Sequence, residues 1–502
     1  MNYSGQNRPP RVLFVYPDYA IAACKRFQRG IALLSAGLKK AGVRTGLIHV
    51  YYQPEKKSFL EQTSSFEPDI IAYSSISNQY PMVKNLASWS RELGIYTIYG
   101  GIHPTIAPEQ CIHTPGIDAI CRGEGDEAIV EFVSVFAGNG DLAQVKGFWV
   151  KTDSTVHKSA VRPLIEDLDR LPFPDYDLFP YDATDDYSYG PRYKIISMHA
   201  SRGCPYNCTY CCNHYLRKLY PNGNKYLRFR SVENVIAELK YLRDKYPQGN
   251  FVRFTDDTLS TNKEWFYRFT EQYKKHIDLP YSANDHSHNI NADVVRHYRD
   301  SRCVSILMGI ENGNPHIRNT VMKRPFSNEE IINAFQLIRK TKINTAAFNI
   351  FGFCHETMAT VLDTIKLNAK CNPKMSIKSY FQPFQGTEAY AMCREMDLKI
   401  NELKTSFAQE PAVELTTISR DQVMFGFRYF ELLVGYYKLL YRLSGNKESL
   451  LIRMTDRTLT HKWFPYKLFN KIILNRFDIQ ERHPALASYL ARIYKTLIRP
   501  KY

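Results

Sequence analysis

The chain has 502 residues, 44% of them hydrophobic and 23% charged, with 66 Lys and Arg against 50 Asp and Glu for a formal net charge of +16. It is too long for one core and too apolar for a disordered chain, so two or three globular domains are expected. Eleven Cys are too few and too irregularly spaced for a disulfide framework. Residues 1–10 show no charged segment leading into an apolar run, and no 18-residue uncharged apolar stretch occurs, so a cytoplasmic protein without a membrane span is expected. Residues 11–16 form a short apolar run, and within 27–41 Ile31, Leu34 and Leu38 recur at helical spacing before Gly42 stops the pattern. This strand and crossover helix repeat, with strands read at 45–51, 69–74, 96–99 and 117–120 and amphipathic stretches such as 83–93 between them. Strands alternating with helices imply a doubly wound parallel sheet over residues 1–147. Ligands of such sheets bind beyond the carboxyl ends of the strands. Ser74 and Ser75, then Gly100, Gly101 and His103, then Gly123 and Glu124 fall there and are the candidate binding residues.

Residues 148–162 alternate like a small hairpin, and L-P-F-P-D at 171–175 with the acidic, aromatic run to 193 completes a proline-stiffened linker over 148–193. A strand at 194–199 leads into S-R-G-C-P-Y-N-C-T-Y-C-C at 201–212, where Cys204, Cys208 and Cys211 stand at the spacing C-x3-C-x2-C. Soft thiolates select zinc, copper(I) or iron–sulfur clusters. A closed zinc site wants a fourth Cys or His at similar spacing. Cys212 adjoins Cys211 and is poorly placed to face the same ion, His214 is awkwardly placed, and no second Cys pair follows at the interval of a zinc ribbon. Three ligands therefore point to iron left open on one side. Further strands at 251–255, near 281, and at 304–310, 345–351 and 375–381 alternate with helices, one of them opened by a capping box of Ser327 and Glu330. With 194–199 they make six strand–helix units over 194–395, and parallel α/β barrels put their chemistry at the carboxyl ends of such strands. Polar residues that an apolar core would not hold stand at three of those ends: Asp256 and Asp257, Glu311 with Asn312, and Gly352 with Glu356.

Over residues 396–502 the alternation stops, and 423–443 and 484–498 read as helices. About half of the excess positive charge lies here, on Lys438, Arg442, Arg453, Arg457, Lys462, Lys467, Lys471, Arg476 and their neighbours. No recognisable nucleic-acid module or patterned basic stripe is present, so nucleic acid is not an expected partner. A peripheral contact with an anionic membrane stays open. A basic, aromatic cap closing the barrel would suit a small-molecule substrate with an anionic group and an apolar body.

The cysteine loop, with Tyr210 just before its last Cys, resembles that of the radical S-adenosylmethionine (SAM) family. The three N-terminal loops resemble the cobalamin-binding domain that precedes the radical domain in one large class of that family. The resemblance implies an α/β chain with a Rossmann-like sheet, then a partial (β/α)6 barrel, then a helical region. It also implies three cofactors. A 4Fe–4S cluster would sit on Cys204, Cys208 and Cys211. SAM would bind the open iron, with Tyr210 near the adenine, Asp256 and Asp257 at the methionine amino group, Glu311 at the ribose and Gly352 against the adenosine. Cobalamin would lie on Ser74, Ser75, Gly100, Gly101, His103, Gly123 and Glu124. In that family one electron from the cluster cleaves the sulfonium bond, and the 5′-deoxyadenosyl radical takes a substrate hydrogen. Q-P-F-Q-G-T at 382–387 resembles the family's P-x-x-G-T turn. The D-x-H-x-x-G signature is absent, and His103 stands in G-G-x-H, so the resemblance does not make it a cobalt ligand. The implied activity is methyl transfer to an unactivated carbon, with an electron donor such as flavodoxin or ferredoxin. The alternatives are cyclisation, ring contraction or oxidation on the same architecture, and a non-catalytic iron–sulfur protein.

Overall fold

Seven strands build the first sheet: β1 (Arg11–Pro17), β2 (Arg44–Val50), β3 (Ile70–Ser74), β4 (Tyr96–Gly100), β5 (Ala119–Cys121), β6 (Phe148–Thr152) and β7 (Thr155–Lys158), in the order β2-β1-β3-β4-β5-β6-β7. The computed structural model describes residues 8–18, 26–152, 155–179, 193–401, 406–445 and 448–472. The first five strands pair in parallel. They are apolar on both faces because helices cover both: Arg29–Lys40 and Ala128–Ala137 on one side, Lys56–Ser65 and Tyr80–Ser90 on the other. The strand order reverses between β1 and β3, which opens the crevice beyond their carboxyl ends. The hairpin expected over 148–162 is present as β6 and β7. It is the antiparallel edge of this sheet, and Phe148, Trp149 and Val150 join the sheet's buried cores, so the start of the expected linker belongs physically to the first sheet.

The second sheet has the order β8 (Ile195–Met198), β11 (Phe251–Phe254), β12 (Tyr281–Asp285), β13 (Cys303–Glu311), β14 (Asn344–Phe351), β15 (Met375–Tyr380), with every pair parallel. Between β8 and β11 the short strands β9 (Ser201–Arg202) and β10 (Arg228–Phe229) form their own antiparallel ribbon. Five of these strands, β8 and β11 to β14, and five of the helices between them share one apolar core, and among the described residues β8 and β15 are the edges of the sheet, so the barrel is open. The capping box stands as expected: the Ser327 hydroxyl accepts from the Glu330 amide at 3.1 Å, and the Glu330 carboxylate accepts from the Ser327 amide at 2.7 Å.

The helix expected over 423–443 is two helices, Arg420–Arg428 and Phe430–Leu443, followed by Leu450–Thr460 and Tyr466–Ile472. The break at Tyr429 lets Phe425, Phe427, Phe430, Val434 and Tyr437 all turn onto Met358, Val361, Leu362 and Ile365 of the helix Met358–Cys371. The region therefore packs on the outside of the barrel. Lys438 and Arg442 line a groove with Arg339, Lys370 and Asn372, where helices end before the amino ends of β14 and β15. The cysteine loop leaves the carboxyl end of β8, on the opposite face, so the expectation that these two cations close the mouth over an anionic substrate is corrected. Arg476, the helix expected over 484–498 and the acidic run at 180–192 lie outside the described residues. Among the described residues no helix is long and apolar enough to cross a membrane.

Candidate active site

The cysteine loop is held from every side. Gly203 opens it in the left-handed region, φ +90°, and a Cβ there would meet the Tyr226 carbonyl oxygen at 2.3 Å, so only glycine fits. Thr209 donates from its amide to the Met322 carbonyl at 3.2 Å and from its hydroxyl to the Val321 carbonyl at 2.9 Å. Tyr206 donates to Asn289 Oδ1 at 3.1 Å and stacks on His286 at 4.1 Å. His214 lies with Nδ1 3.1 Å from the Cys208 carbonyl oxygen, while its Nε2 accepts from the Glu388 amide at 3.3 Å. Both ring nitrogens are engaged, which makes His214 a latch on the loop rather than a metal ligand. Cys212 begins the helix Cys212–Leu219 and shares a hydrogen bond with Cys211.

Cys204, Cys208 and Cys211 are free thiols. Among the described residues no group of three His, Cys, Asp or Glu side chains is gathered to hold a single metal ion. Burial pushes Cys204 up to about 12 and raises Cys208, while the hydrogen bond to Cys212 and burial together raise Cys211. Thiols so raised stay protonated unless a cationic centre stands beside them. One cation is already supplied. Arg324 Nη1 stands 3.4 Å from both Cys208 Sγ and the Tyr210 hydroxyl oxygen, and its Nη2 donates to the Gly309 carbonyl at 2.9 Å. Arg318, wholly buried, fixes the intervening loop by donating to the carbonyls of Asn312 and Phe326. Hydrogen bonds and positive charge at cluster sulfurs are levers on reduction potential, and Arg324 would provide both to a cluster held by Cys208.

The expected SAM residues divide. Glu311 ends β13 in the left-handed region, φ +61°, at a register shift against β14. Burial raises its carboxyl pKa, offset by Arg324 and by the Tyr210 hydroxyl. Asp256 is engaged within the chain: it accepts from the amides of Ala200 and Ser201 at 2.9 and 2.6 Å, which braces the turn from β8 into the cysteine loop. Asp257 is the accessible one of the pair, with Asn213 linking it at 3.0 Å to a contact with Cys211 Sγ at 3.5 Å. Gly352 keeps φ +77°, but the space of its missing Cβ is bordered by Val423 at 3.4 Å rather than left open. His286 Nε2, Arg324 Nε and both amide atoms of Gln382 are buried without a partner at the carboxyl-end face. Each such group costs about 1–3 kcal/mol unless a polar ligand completes it, which is what SAM's amino-acid, ribose and adenine groups can do.

Glu356 follows β14 and is 0% exposed, accepting from the Gly352 amide at 2.6 Å and from Asn312 Nδ2 at 2.9 Å. Burial pushes its carboxyl up to about 7 from 4.5. The folded-state pKa lies above the unfolded one, so its contribution is fully present below pH 4.5 and is lost as pH rises to 7. The expected result is a fall in unfolding free energy on the order of 3 kcal/mol over that interval, absent in Glu356→Gln, read by urea titration of the apo-protein at pH 4.5 and pH 7.5. Equal slopes with pH in the two proteins would refute it.

The carboxyl ends of the two sheets face each other. The helix Ile102–Ile106, after β4, packs on the helix Cys212–Leu219, and Gly386 of the Q-G-T turn rests on Tyr215 and the Ile106 carbonyl. Ser74, Ser75, Gly100, Gly101 and His103 form one cluster there. The amide of His103 donates to the Ser75 carbonyl at 3.2 Å, and Ser75 Oγ lies 2.6 Å from the Tyr99 hydroxyl. His103 is neutral, burial pushing it down to about 4, with Nδ1 3.0 Å from Ser77 Oγ and its Nε2 buried without a partner. Gly123 and Glu124 turn to the second domain instead. A Cβ on Gly123 would meet the Tyr220 hydroxyl at 2.9 Å. Glu124 accepts from Arg228 at 2.8 and 3.0 Å, from Arg202 at 3.2 Å and from the Ile165 amide at 3.0 Å. Asp126 takes both Arg202 Nη groups at 2.8 Å, so the loop after β5 grips a residue two positions before Cys204. Arg324, Arg202, Asp126 and Gln382 are the functional candidates that sequence reasoning passes over; for Arg202 alone, its place beside the C-x3-C-x2-C motif was a usable signal.

The Radical SAM superfamily profile matches residues 198–367, and the B12 binding domain profile matches 26–133. Both domains on one chain, with the cysteine trio where they meet, define a radical SAM enzyme. The chain belongs to the cobalamin-dependent radical SAM enzymes, whose cofactors are a 4Fe–4S cluster, SAM and cobalamin. An uncharacterised methyltransferase of Pyrococcus horikoshii is 27% identical over 364 residues, covering 71% of this chain and 76% of its own. An anaerobic magnesium-protoporphyrin IX monomethyl ester cyclase of Rubrivivax gelatinosus is 25% identical over 397 residues, covering 76% and 69%. Among solved structures, the cobalamin-dependent SAM radical enzyme OxsB shares the fold over 96% of this chain and 75% of its own, at TM-score 0.66 and 15% identity. The methyltransferase TsrM from Kitasatospora setae shares it over 77% and 75%, at TM-score 0.63 and 14% identity.

Proposed function

We propose that the enzyme is a C-methyltransferase acting on an unactivated carbon of a small molecule. The supporting observation is the clamp that joins the loop after β5 to the cysteine loop through Arg202, because methyl transfer needs the corrin and the radical source over one substrate. When bound, the cluster with SAM supplies a hydrogen-abstracting radical and the corrin supplies the methyl group. The chain holds and orients them. Cys204, Cys208 and Cys211 would hold the iron, Asp257 would meet the methionine amino group, Glu311 the ribose hydroxyls and Tyr210 the adenine. Ser74, Ser75, Gly100, Gly101 and His103 would border the corrin. A one-electron donor of the flavodoxin or ferredoxin type serves the cluster. Cyclisation is the second reading, favoured by the three cyclase relatives.

The test is the stoichiometry of the two products of SAM. Anaerobically reconstituted enzyme with cobalamin and reductant, screened over small-molecule acceptors, is expected to form S-adenosylhomocysteine and 5′-deoxyadenosine each in step with product. Product accompanied by 5′-deoxyadenosine alone would overturn methyl transfer in favour of cyclisation or oxidation.

A further inference from the structure

The helix Phe430–Leu443 carries two apolar faces. One, with Phe430, Val434, Tyr437, Leu440 and Tyr441, is buried against the barrel. The other exposes Leu432 (62%), Tyr436 (40%), Leu439 (49%) and Leu443 (72%), at i, i+4, i+7 and i+11, a single narrow stripe. A helix on a soluble surface needs only the first. The stripe continues: Tyr436 reaches Thr455 at 3.3 Å, which sets the helix Leu450–Thr460 beside it, and there Leu450, Leu451 and Met454 are exposed. Trp463 is 78% exposed, and Leu468 with Ile472 repeats the i, i+4 pattern on the last described helix. Contiguous exposure on this scale marks an interaction surface.

The charges beside the stripe choose the partner. Arg453 with Arg457, and Lys467 with Lys471, run at i, i+4 next to the exposed apolar pairs on their own helices. Over 450–472 the one acidic residue is Asp456, and it is used by Lys366 at 2.9 Å and by the Tyr437 hydroxyl. The flanking groove adds Arg339, Lys370, Lys438 and Arg442, with no carboxylate among the described residues that line it. We infer that this face docks on an anionic lipid surface, its Leu, Met and Trp side chains entering the headgroup boundary and its Lys and Arg meeting lipid phosphates. A protein interface depletes Lys at its apolar centre, and nucleic acid offers no phase for three exposed leucines and a tyrosine on one helix. Trp beside Lys is the pairing that membrane–water boundaries favour. The groove lies at the amino-end face of the barrel, so docking leaves the mouth turned toward water.

The test is sedimentation of the full-length enzyme, cofactors loaded, with phosphatidylcholine vesicles with and without phosphatidylglycerol. Binding is expected on the mixed vesicles and weaker both on phosphatidylcholine alone and at high salt, since each basic residue near the surface contributes about fivefold. Leu439→Glu with Leu443→Glu should abolish it, and Trp463→Ala should weaken it. Arg453→Glu with Arg457→Glu should remove the preference for the anionic lipid. All of these positions are exposed, so unchanged thermal unfolding is expected to accompany each loss. The inference falls if the wild type stays in the supernatant, if neither double substitution alters sedimentation, or if Leu439→Glu with Leu443→Glu instead splits a dimer. It falls equally if a chain ending at Ile472 binds and the full chain does not, because the following segment would then be what covers the face.

Discussion

Replacing Cys204, Cys208 or Cys211 by Ala abolishes the brown iron–sulfur absorbance and the reductive cleavage of SAM, whereas Cys212→Ala keeps both. The two outcomes follow from different positions in one loop. Each of the three ligands occupies a backbone site fixed from outside the loop, through Gly203, Thr209 and His214, so no neighbouring thiol can slide into a vacated place. Cys212 starts a helix and contributes a hydrogen bond to Cys211, whose loss costs on the order of 1 kcal/mol. Iron and sulfide analysis of the four anaerobic variants is the measurement. Loss of iron in Cys212→Ala equal to that in the other three would transfer the ligand role.

Glu238→Ala has the largest expected effect on stability. Glu238 lies on the helix Val232–Lys245 with its side chain 0% exposed, and it accepts from Arg29 of the first domain at 2.7 and 2.9 Å, from Arg230 at 2.5 Å and from the Tyr176 hydroxyl. Truncation leaves two buried guanidinium groups facing each other, a loss of about 3–5 kcal/mol. Urea unfolding of the wild type and Glu238→Ala measures it, and a change below 1 kcal/mol would mean that the domains are held elsewhere. Burial alone would raise the Glu238 carboxyl, but Arg29 and Arg230 hold it down to about 2. A depressed carboxylate stabilises above its unfolded value of 4.5, and that stability is lost as pH falls through 2. Glu238 and Glu356 thus act in opposite directions, one weakening the fold in acid and the other on approach to neutrality.

Much of the fold was legible because its signals are periodic. Buried parallel strands appear as apolar runs such as 11–16 and 345–351, and crossover helices as 3.6-residue stripes, so both sheets and all six barrel strands follow from local pattern. The cysteine loop was legible for another reason, since ligand spacing within one turn is written in consecutive residues. What spans distance was not. Asp256 and Asp257 look alike in sequence, yet one is spent on the amides of Ala200 and Ser201, 56 and 55 positions away, while its exposed neighbour is held by Asn213. Glu124 sits where a ligand loop belongs, but two arginines from the other domain use its oxygens. The basic cap was misplaced because an amphipathic helix specifies that it packs, not against which face of the barrel.

The ionic seam between the domains has a consequence for how the chain is made. Arg29, Glu124 and Asp126 all leave the ribosome before Arg202, Arg228, Arg230 and Glu238, so the finished first sheet must wait with its half of each clamp unmatched. Ions in water wait at no cost, whereas an exposed apolar patch of the same size would invite neighbouring nascent chains. Joining by charge at these points keeps a half-synthesised molecule dispersed, and it leaves the rim of the first sheet open to solvent until the second sheet arrives.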